Sequence, residues 1–294
     1  MKNRIKKLIF GIGLLAIGSI FIFKKDINSQ FTKVITNPLV PKTISFAGEK
    51  TPLNISDVYE RLDREIITNS NFHTSTTLII KRANRVFPVI EPILKQYNIP
   101  DDFKYLAVAE SGLINAVSPA GARGVWQFMP QTGKEKGLEI NEFIDERYHL
   151  EKSTIAACKY LQESKEKYGN WTLAAASYNA GLHGISKQLD GQSADNYYDL
   201  LLNEETSRYV FRILALKQIM ENPMMYGYDI KDKYKKIESK TIEITNSIEN
   251  LSNFAKENNI NYKILKIHNP WLRDKSLPNK TGKTYILEIP TEGY

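Results

Sequence analysis

The run Pro100-Asp101-Asp102-Phe103-Lys104-Tyr105-Leu106-Ala107-Val108-Ala109-Glu110-Ser111-Gly112 decides how this chain folds. A proline followed by two acids reads as a helix start. Proline lacks the N–H that a first turn leaves unpaired, and acids favour the positive end of the helix dipole. Phe103, Leu106, Ala107 and Glu110 then recur at i, i+3, i+4 and i+7, so all four share one face. Gly112 ends the helix at once. A carboxylate is thereby placed on a core-facing stripe, at the rim of a helix C-terminus. Poor hydration and the negative end of the dipole both disfavour its ionised form and raise its pKa. A carboxylic acid kept protonated near neutrality can donate to a leaving oxygen. A glutamate so placed can also snorkel outward or pair with a basic residue, and periodicity does not separate these readings.

Outward from this helix the pattern stays helical. Val58, Leu62 and Ile66 recur at four-residue spacing, as do Val86, Ile90 and Leu94, with Ile93 beside them, in a segment that stops near Pro100. Residues 150–168, 173–180 and 207–220 continue the period, so residues 53–230 read as one all-helical domain. The lone Cys158 sits in a helical pattern and reads as a small core residue. Ahead of the domain, residues 26–52 carry Pro38, Pro41, Gly48 and Pro52 without sustained apolar period, the signature of a tether. Beyond it the period changes to two at residues 241–245 and 285–289, with short helical patterns at 251–257 and 262–268 between them. Residues 241–294 therefore read as a small β-α-α-β unit. The fold class is mainly α, an all-helical domain followed by this module, and no repeat of 20–50 residues points to a solenoid.

The net charge of +7 over 294 residues raises the question of a nucleic-acid partner. Residues 1–25 carry six basic residues and no acid, whereas residues 26–230 carry 22 basic and 25 acidic residues. The body is near neutral, which excludes a broad phosphate-binding face. The basic excess instead flanks an uncharged run from Leu8 to Phe23. Sixteen helical residues span about 24 Å, short of a hydrocarbon core of about 30 Å unless the flanking lysines snorkel. The basic head orients the rest outward. With no small-x-small site after the run and no cysteine for a lipid, residues 1–25 read as an uncleaved signal anchor, or as a cleaved signal peptide. A buried helix of the folded domain is the remaining alternative. Both targeting readings place the working part outside the cytoplasm.

Two stretches accompany Glu110. Ser118-Pro119-Ala120-Gly121-Ala122-Arg123-Gly124-Val125-Trp126-Gln127-Phe128-Met129-Pro130 combines two glycines, two prolines and three large side chains, which suits a tight loop that brings backbone close to a ligand. Trp171 leads into Ala174-Ala175-Ala176-Ser177-Tyr178-Asn179-Ala180-Gly181, small residues that let helices approach, ending in a polar pair. Together with Glu110-Ser111 and Glu205-Thr206-x-x-Tyr209-Val210, these resemble, in order and spacing, the four motifs of the lytic murein transglycosylases. That family has a soluble-lytic-transglycosylase catalytic domain related to goose-type lysozyme, and the resemblance covers roughly residues 80–220.

The resemblance implies a lysozyme-like helical fold and an enzyme acting on peptidoglycan glycan strands. Glu110 would be the single acid/base, protonating the oxygen between N-acetylmuramic acid and N-acetylglucosamine. It would then take the proton of the muramic C6 hydroxyl as that oxygen closes onto C1. Ser118, Gln127, Met129, Tyr178, Asn179 and Tyr209 would bind substrate, with Ser111, Gly124 and Glu205 in support. Ser118 has a second reading as a helix cap, and Tyr209 as a core residue. Trp126 and Phe128 read as loop packing. The tail resembles a LysM module, a glycan-binding β-α-α-β fold, through Ile242–Ile244, residues 250–256 and Asn269-Pro270-Trp271-Leu272. It departs from it where Asn246-Ser247-Ile248-Glu249 replaces the usual Gly-Asp-Thr, so its capacity for sugar is open.

The residues alone bear on the mechanism. Ordinary glycosidases use two carboxylates, about 5–5.5 Å or 6.5–9.5 Å apart. Asp145 and Glu146, beside Glu142 and Arg147, read as a solvated loop, and no second acid stands out on an apolar stripe. His73, His149, His183 and His268 have no paired ligand spacing, so neither metal nor cofactor is expected. A monomer suffices. Two rival readings remain: a hydrolase on the same scaffold, and a binding protein without catalysis.

Overall fold

The computed structural model describes residues 38–292. The expected signal anchor at 1–25 and the first part of the tether lie outside the described residues. From residue 38 on, the tether reading is corrected. Ser45–Phe46 (β1) and Glu49–Lys50 (β2) form a small hairpin whose turn, Ala47-Gly48, has positive φ at both residues. The hairpin buries Phe46 completely, edge-on to Phe103 with ring centroids 4.9 Å apart. Proline and glycine here mark a turn that packs on the core.

The helical domain comprises Ser56–Asn71 (α1), His73–Gln96 (α2), Phe103–Ser111 (α3), Pro130–Glu135 (α4), Leu150–Tyr168 (α5), Trp171–Ala180 (α6), Leu182–Gln192 (α7) and Glu204–Glu221 (α8). Helix α3 lies between α2 and α8, with Phe103, Leu106 and Ala107 buried as their spacing predicts. Asp101 and Asp102 do not fill its first turn. The Asp102 carboxylate instead accepts from the Ala47 N–H at 2.6 Å and the Lys217 ammonium at 2.7 Å, tying the hairpin to α8. Gly112, at φ +59°, reverses the chain as its N–H reaches back to the Val108 carbonyl. The small residues Ala174–Ser177 are all buried where α6 packs on α5. Cys158 is buried in this core, and burial pushes its thiol up to about 12.

A second correction concerns Asp145, Glu146 and Arg147. They are buried, in a 3-10 turn, not solvated. The Arg147 guanidinium grips Asp145 through Nε at 2.8 Å and Nη2 at 2.7 Å, and its Nη1 donates to the carbonyls of Gly121 and Phe128, each at 3.2 Å. A two-pronged arginine–carboxylate pair whose third nitrogen is also hydrogen-bonded is the form in which charge tolerates burial. Its effect is to hold the 118–130 loop from below.

The tail folds as the period predicts. Ser239–Ile244 (β3) pairs antiparallel with Tyr285–Pro290 (β4), from Ser239 opposite Pro290 to Ile244 opposite Tyr285. Between them run Leu251–Glu257 (α9) and Tyr262–His268 (α10). The module's own core of Leu251, Leu265, Trp271, Leu277 and Leu287 also takes in Ile144 and Tyr148 of the helical domain. Ile144 bridges Leu272 in antiparallel fashion, with Asp145 N–H donating to the Trp271 carbonyl at 2.9 Å and Arg273 N–H to that of Phe143 at 2.7 Å. Among the described residues, no helix is long and apolar enough to cross a membrane.

Candidate active site

Glu110 occupies the last turn of α3, one residue before its end, and is partly buried. The Tyr209 hydroxyl of α8 donates a short hydrogen bond to Glu110 Oε1. Burial is the main influence on the carboxyl and pushes it up to about 7. The Tyr209 bond and the positive charge of Arg212 pull the other way, and the negative charge of Glu205 adds to the rise. Tyr209 is buried, and burial together with the adjacent carboxylate holds its hydroxyl well above the usual phenol range, so it stays a donor.

Ser111 fastens the end of α3 to the loop. Its hydroxyl donates to the Val125 carbonyl at 2.8 Å and accepts from the Leu113 N–H at 3.2 Å. Gly124 has φ +85°, and a Cβ there would lie 1.8 Å from the Arg147 carbonyl oxygen, so only glycine fits. Gln127, also at positive φ, donates from Nε2 to the carbonyls of Gly124 at 2.7 Å and Ala116 at 3.1 Å. The Ser118 hydroxyl accepts from the Ala122 N–H at 3.0 Å, closing a turn within the loop. Met129 is 42% exposed at the loop's end. Trp126 and Phe128 are buried beneath it, the Trp126 indole N–H donating to Thr154 Oγ1 at 2.8 Å.

On the far side, the Tyr178 hydroxyl of α6 donates to the Trp126 carbonyl at 2.8 Å, and this ring senses the Glu110 charge. Asn179 links α6 to α8. Its Nδ2 donates to Glu205 Oε1 at 3.0 Å and its Oδ1 accepts from Thr206 Oγ1 at 2.9 Å. The structure thus gathers Glu110, Tyr209, Tyr178 and the Asn179–Glu205 pair. It engages Ser118 Oγ and the Gln127 amide N–H group in shaping the loop.

One buried acid escaped the sequence reading. Glu65 on α1 is as buried as its stripe neighbours Leu62 and Ile66. Arg208 donates to it from Nε at 2.6 Å, and Arg212 Nε stands 3.9 Å away. The signal was available, because Glu65 falls three residues after Leu62 on the Val58–Leu62–Ile66 face. What the sequence could not show is that both arginines come from α8. Among the described residues, no group of three or more His, Cys, Asp or Glu side chains could hold a metal ion.

Residues 88–201 match the family model described as the transglycosylase SLT domain, and residues 240–293 match that of the soluble lytic transglycosylase C-terminal LysM-like domain. The chain carries an SLT domain followed by a LysM-like domain. Glu110, the 118–130 loop and Tyr178-Asn179 all fall within the SLT match, and α8 with Tyr209 lies just beyond it. The membrane-bound lytic murein transglycosylase D of Escherichia coli (strain K12) is 27% identical over 252 residues, covering 83% of this chain and 54% of that protein. The protein of the same description from Escherichia coli O6:H1 gives the same figures. The chain therefore spans about half the length of these relatives. The SLT domain and LysM-like domain account for the mainly helical fold and for the β-α-α-β module at its end.

Proposed function

We propose that this protein is a peptidoglycan lytic transglycosylase, exported to the cell envelope, with Glu110 as its one acid/base. The observation that carries the reading is a carboxyl whose pKa burial lifts to about 7, hydrogen-bonded to Tyr209 and set against the Gly124–Met129 loop of an SLT domain. Protonated Glu110 gives its proton to the glycosidic oxygen as the bond from muramic C1 to that oxygen breaks. The resulting carboxylate takes the proton of the C6 hydroxyl while O6 bonds to C1. The products are a 1,6-anhydro-N-acetylmuramic end and a free 4-hydroxyl on N-acetylglucosamine, with no water consumed.

Tyr209 orients the carboxyl and stabilises it while it is charged. Ser118, Gln127, Met129, Tyr178 and Asn179 border the sugar path, Ser111 and Gly124 keep the loop against the helix end, and Glu205 acts through Asn179. Residues 1–25 supply the membrane attachment, and one copy of the chain suffices. The test is mass spectrometry of soluble fragments released from purified peptidoglycan by residues 26–294, with Glu110→Gln alongside. Products one water lighter than hydrolytic fragments, absent with the variant, are expected. Reducing-end products would make the enzyme a hydrolase, and silence from the wild type would make it a binding protein.

A further inference from the structure

Where the SLT and LysM-like domains meet, the structure leaves a cleft of about 640 Å³, the size of a small-ligand or short-peptide site. One wall is α2, with the half-buried Val89 and the edge of the buried Val86. The opposite wall is the outer face of β4 and the end of α10. Strand alternation sends Tyr285, Leu287 and Ile289 into the module and leaves Ile286 facing the cleft, 52% exposed, with Ile267 beside it at 55%. Two large aliphatic side chains are thus left in water opposite α2, beside the packed seam that the two domains share.

The cleft borders the segments that carry the candidate active site. Leu113 and Asn115, three and five residues after Glu110, line it, as does Val125, whose carbonyl receives the Ser111 hydroxyl. Its charges are of both signs: Arg85, Lys152 and Lys236 with Glu151 and Glu288. Burial and the nearby Glu151 raise the Glu288 carboxyl, while Lys236 and His149 draw it back. A flat stacking platform for a sugar ring would need an open aromatic face. The aromatic rings here are covered: Trp271 is buried and stacked by His149 and Tyr285, and Tyr148 lies under the Arg273 guanidinium. Aliphatic walls with paired charges of both signs suit a short peptide that carries methyl side chains, an amine and carboxylates.

Resting on the reading of the protein as a transglycosylase, we infer that this interdomain cleft takes the peptide stem borne by the muramic acid whose C1 reacts at Glu110. The stem leaves the same sugar at C3, on the side of the chain that leads through Leu113 and Asn115, and four extended residues reach roughly 13 Å. The LysM-like domain would then act in catalysis by supplying half of a stem site.

The test compares glycan strands bearing stems with the same strands stripped by an amidase, for the wild type and for Ile286→Lys, a substitution of an exposed side chain. The wild type should cleave stem-bearing strands on the order of tenfold better in kcat/KM, equivalent to about 1.4 kcal/mol. Ile286→Lys should lose that preference while cleaving stripped strands as the wild type does, with an unchanged Tm. Equal cleavage of both substrates by the wild type, or a preference that survives Ile286→Lys, overturns the inference. A wild type that cleaves neither substrate overturns the transglycosylase reading instead. The cleft then stands or falls on titration with the isolated stem tetrapeptide, where the absence of binding at millimolar concentration overturns it.

Discussion

Glu65 and Glu110 sit alike on apolar helix stripes, and one helix, α8, serves both. Within one turn it presents Arg208 and Arg212 to Glu65 and the Tyr209 hydroxyl to Glu110. Burial sets the same problem twice, and the charge of the partner decides the outcome. Against guanidinium the carboxylate becomes a brace between α1 and α8. Against a phenol, with Arg212 only at longer range, the carboxyl is left able to hold or release a proton near neutrality. The lesson for reading such sites is that a buried acid is a catalytic candidate when its nearest donor is neutral.

The comparison breaks first at Glu110→Gln. If the proposed reading holds, activity should fall by roughly 10²–10⁴ in a peptidoglycan release assay, the span of general acid–base catalysis. Stability should move the other way. The folded-state pKa of about 7 lies above the ordinary 4.5, so the wild type is penalised progressively as pH rises between those values and fully above them. The variant should therefore be the more stable at pH 8, by about 1–3 kcal/mol, and no more stable at pH 4. Denaturant melts at the two pH values check this. An equal effect at both would mean that folding leaves the Glu110 pKa unchanged.

Next comes Glu65→Gln, which strips the α1–α8 brace of its charge. Loss of one partner of a buried pair should cost about 2–4 kcal/mol, at the lower side because Arg208 reaches solvent. The readout is a fall in Tm, with kcat at 25 °C within a few-fold of wild type. A loss of activity matching that of Glu110→Gln would erase the distinction between the two acids.

The smallest expected effect is that of Tyr209→Phe. The hydroxyl lowers the Glu110 pKa, so its removal should raise it. Wild-type activity should decline as pH rises through about 7, as the donor loses its proton. In the variant this alkaline limb should move to higher pH, while kcat/KM drops about tenfold from the lost hydrogen bond. An unmoved limb would assign the proton to another group.

Much of this was written in the local pattern. The Phe103–Glu110 spacing placed the acid at a helix rim, and alternation in 241–245 and 285–289 gave the paired strands of the tail. What was hidden depended on partners remote in sequence. Pro41 and Gly48 suggested a tether because nothing nearby tells that Phe46 meets Phe103. The dense charge of 142–147 suggested water because the carbonyls that satisfy Arg147, at Gly121 and Phe128, belong to another segment. The place of Glu65 on the Val58–Leu62–Ile66 stripe was legible, but its partners were not, because its arginines lie 143 and more residues further on. Local periodicity records which face is buried, but not which charge waits there.

The seam around Ile144 bears on how the chain can be cut. A boundary drawn at residue 240 divides the sequence cleanly, yet Ile144 and Tyr148 belong to the hydrophobic core on the other side of it. Glu139 binds across the same seam, to Lys283 and to the Tyr285 hydroxyl. The adjoining segment, 145–147, is the one that holds the 118–130 loop through Arg147. The module is therefore not a detachable accessory. Its removal should expose the segment that supports the loop beside Glu110, and calorimetry of the intact chain should show the two domains melting in one transition.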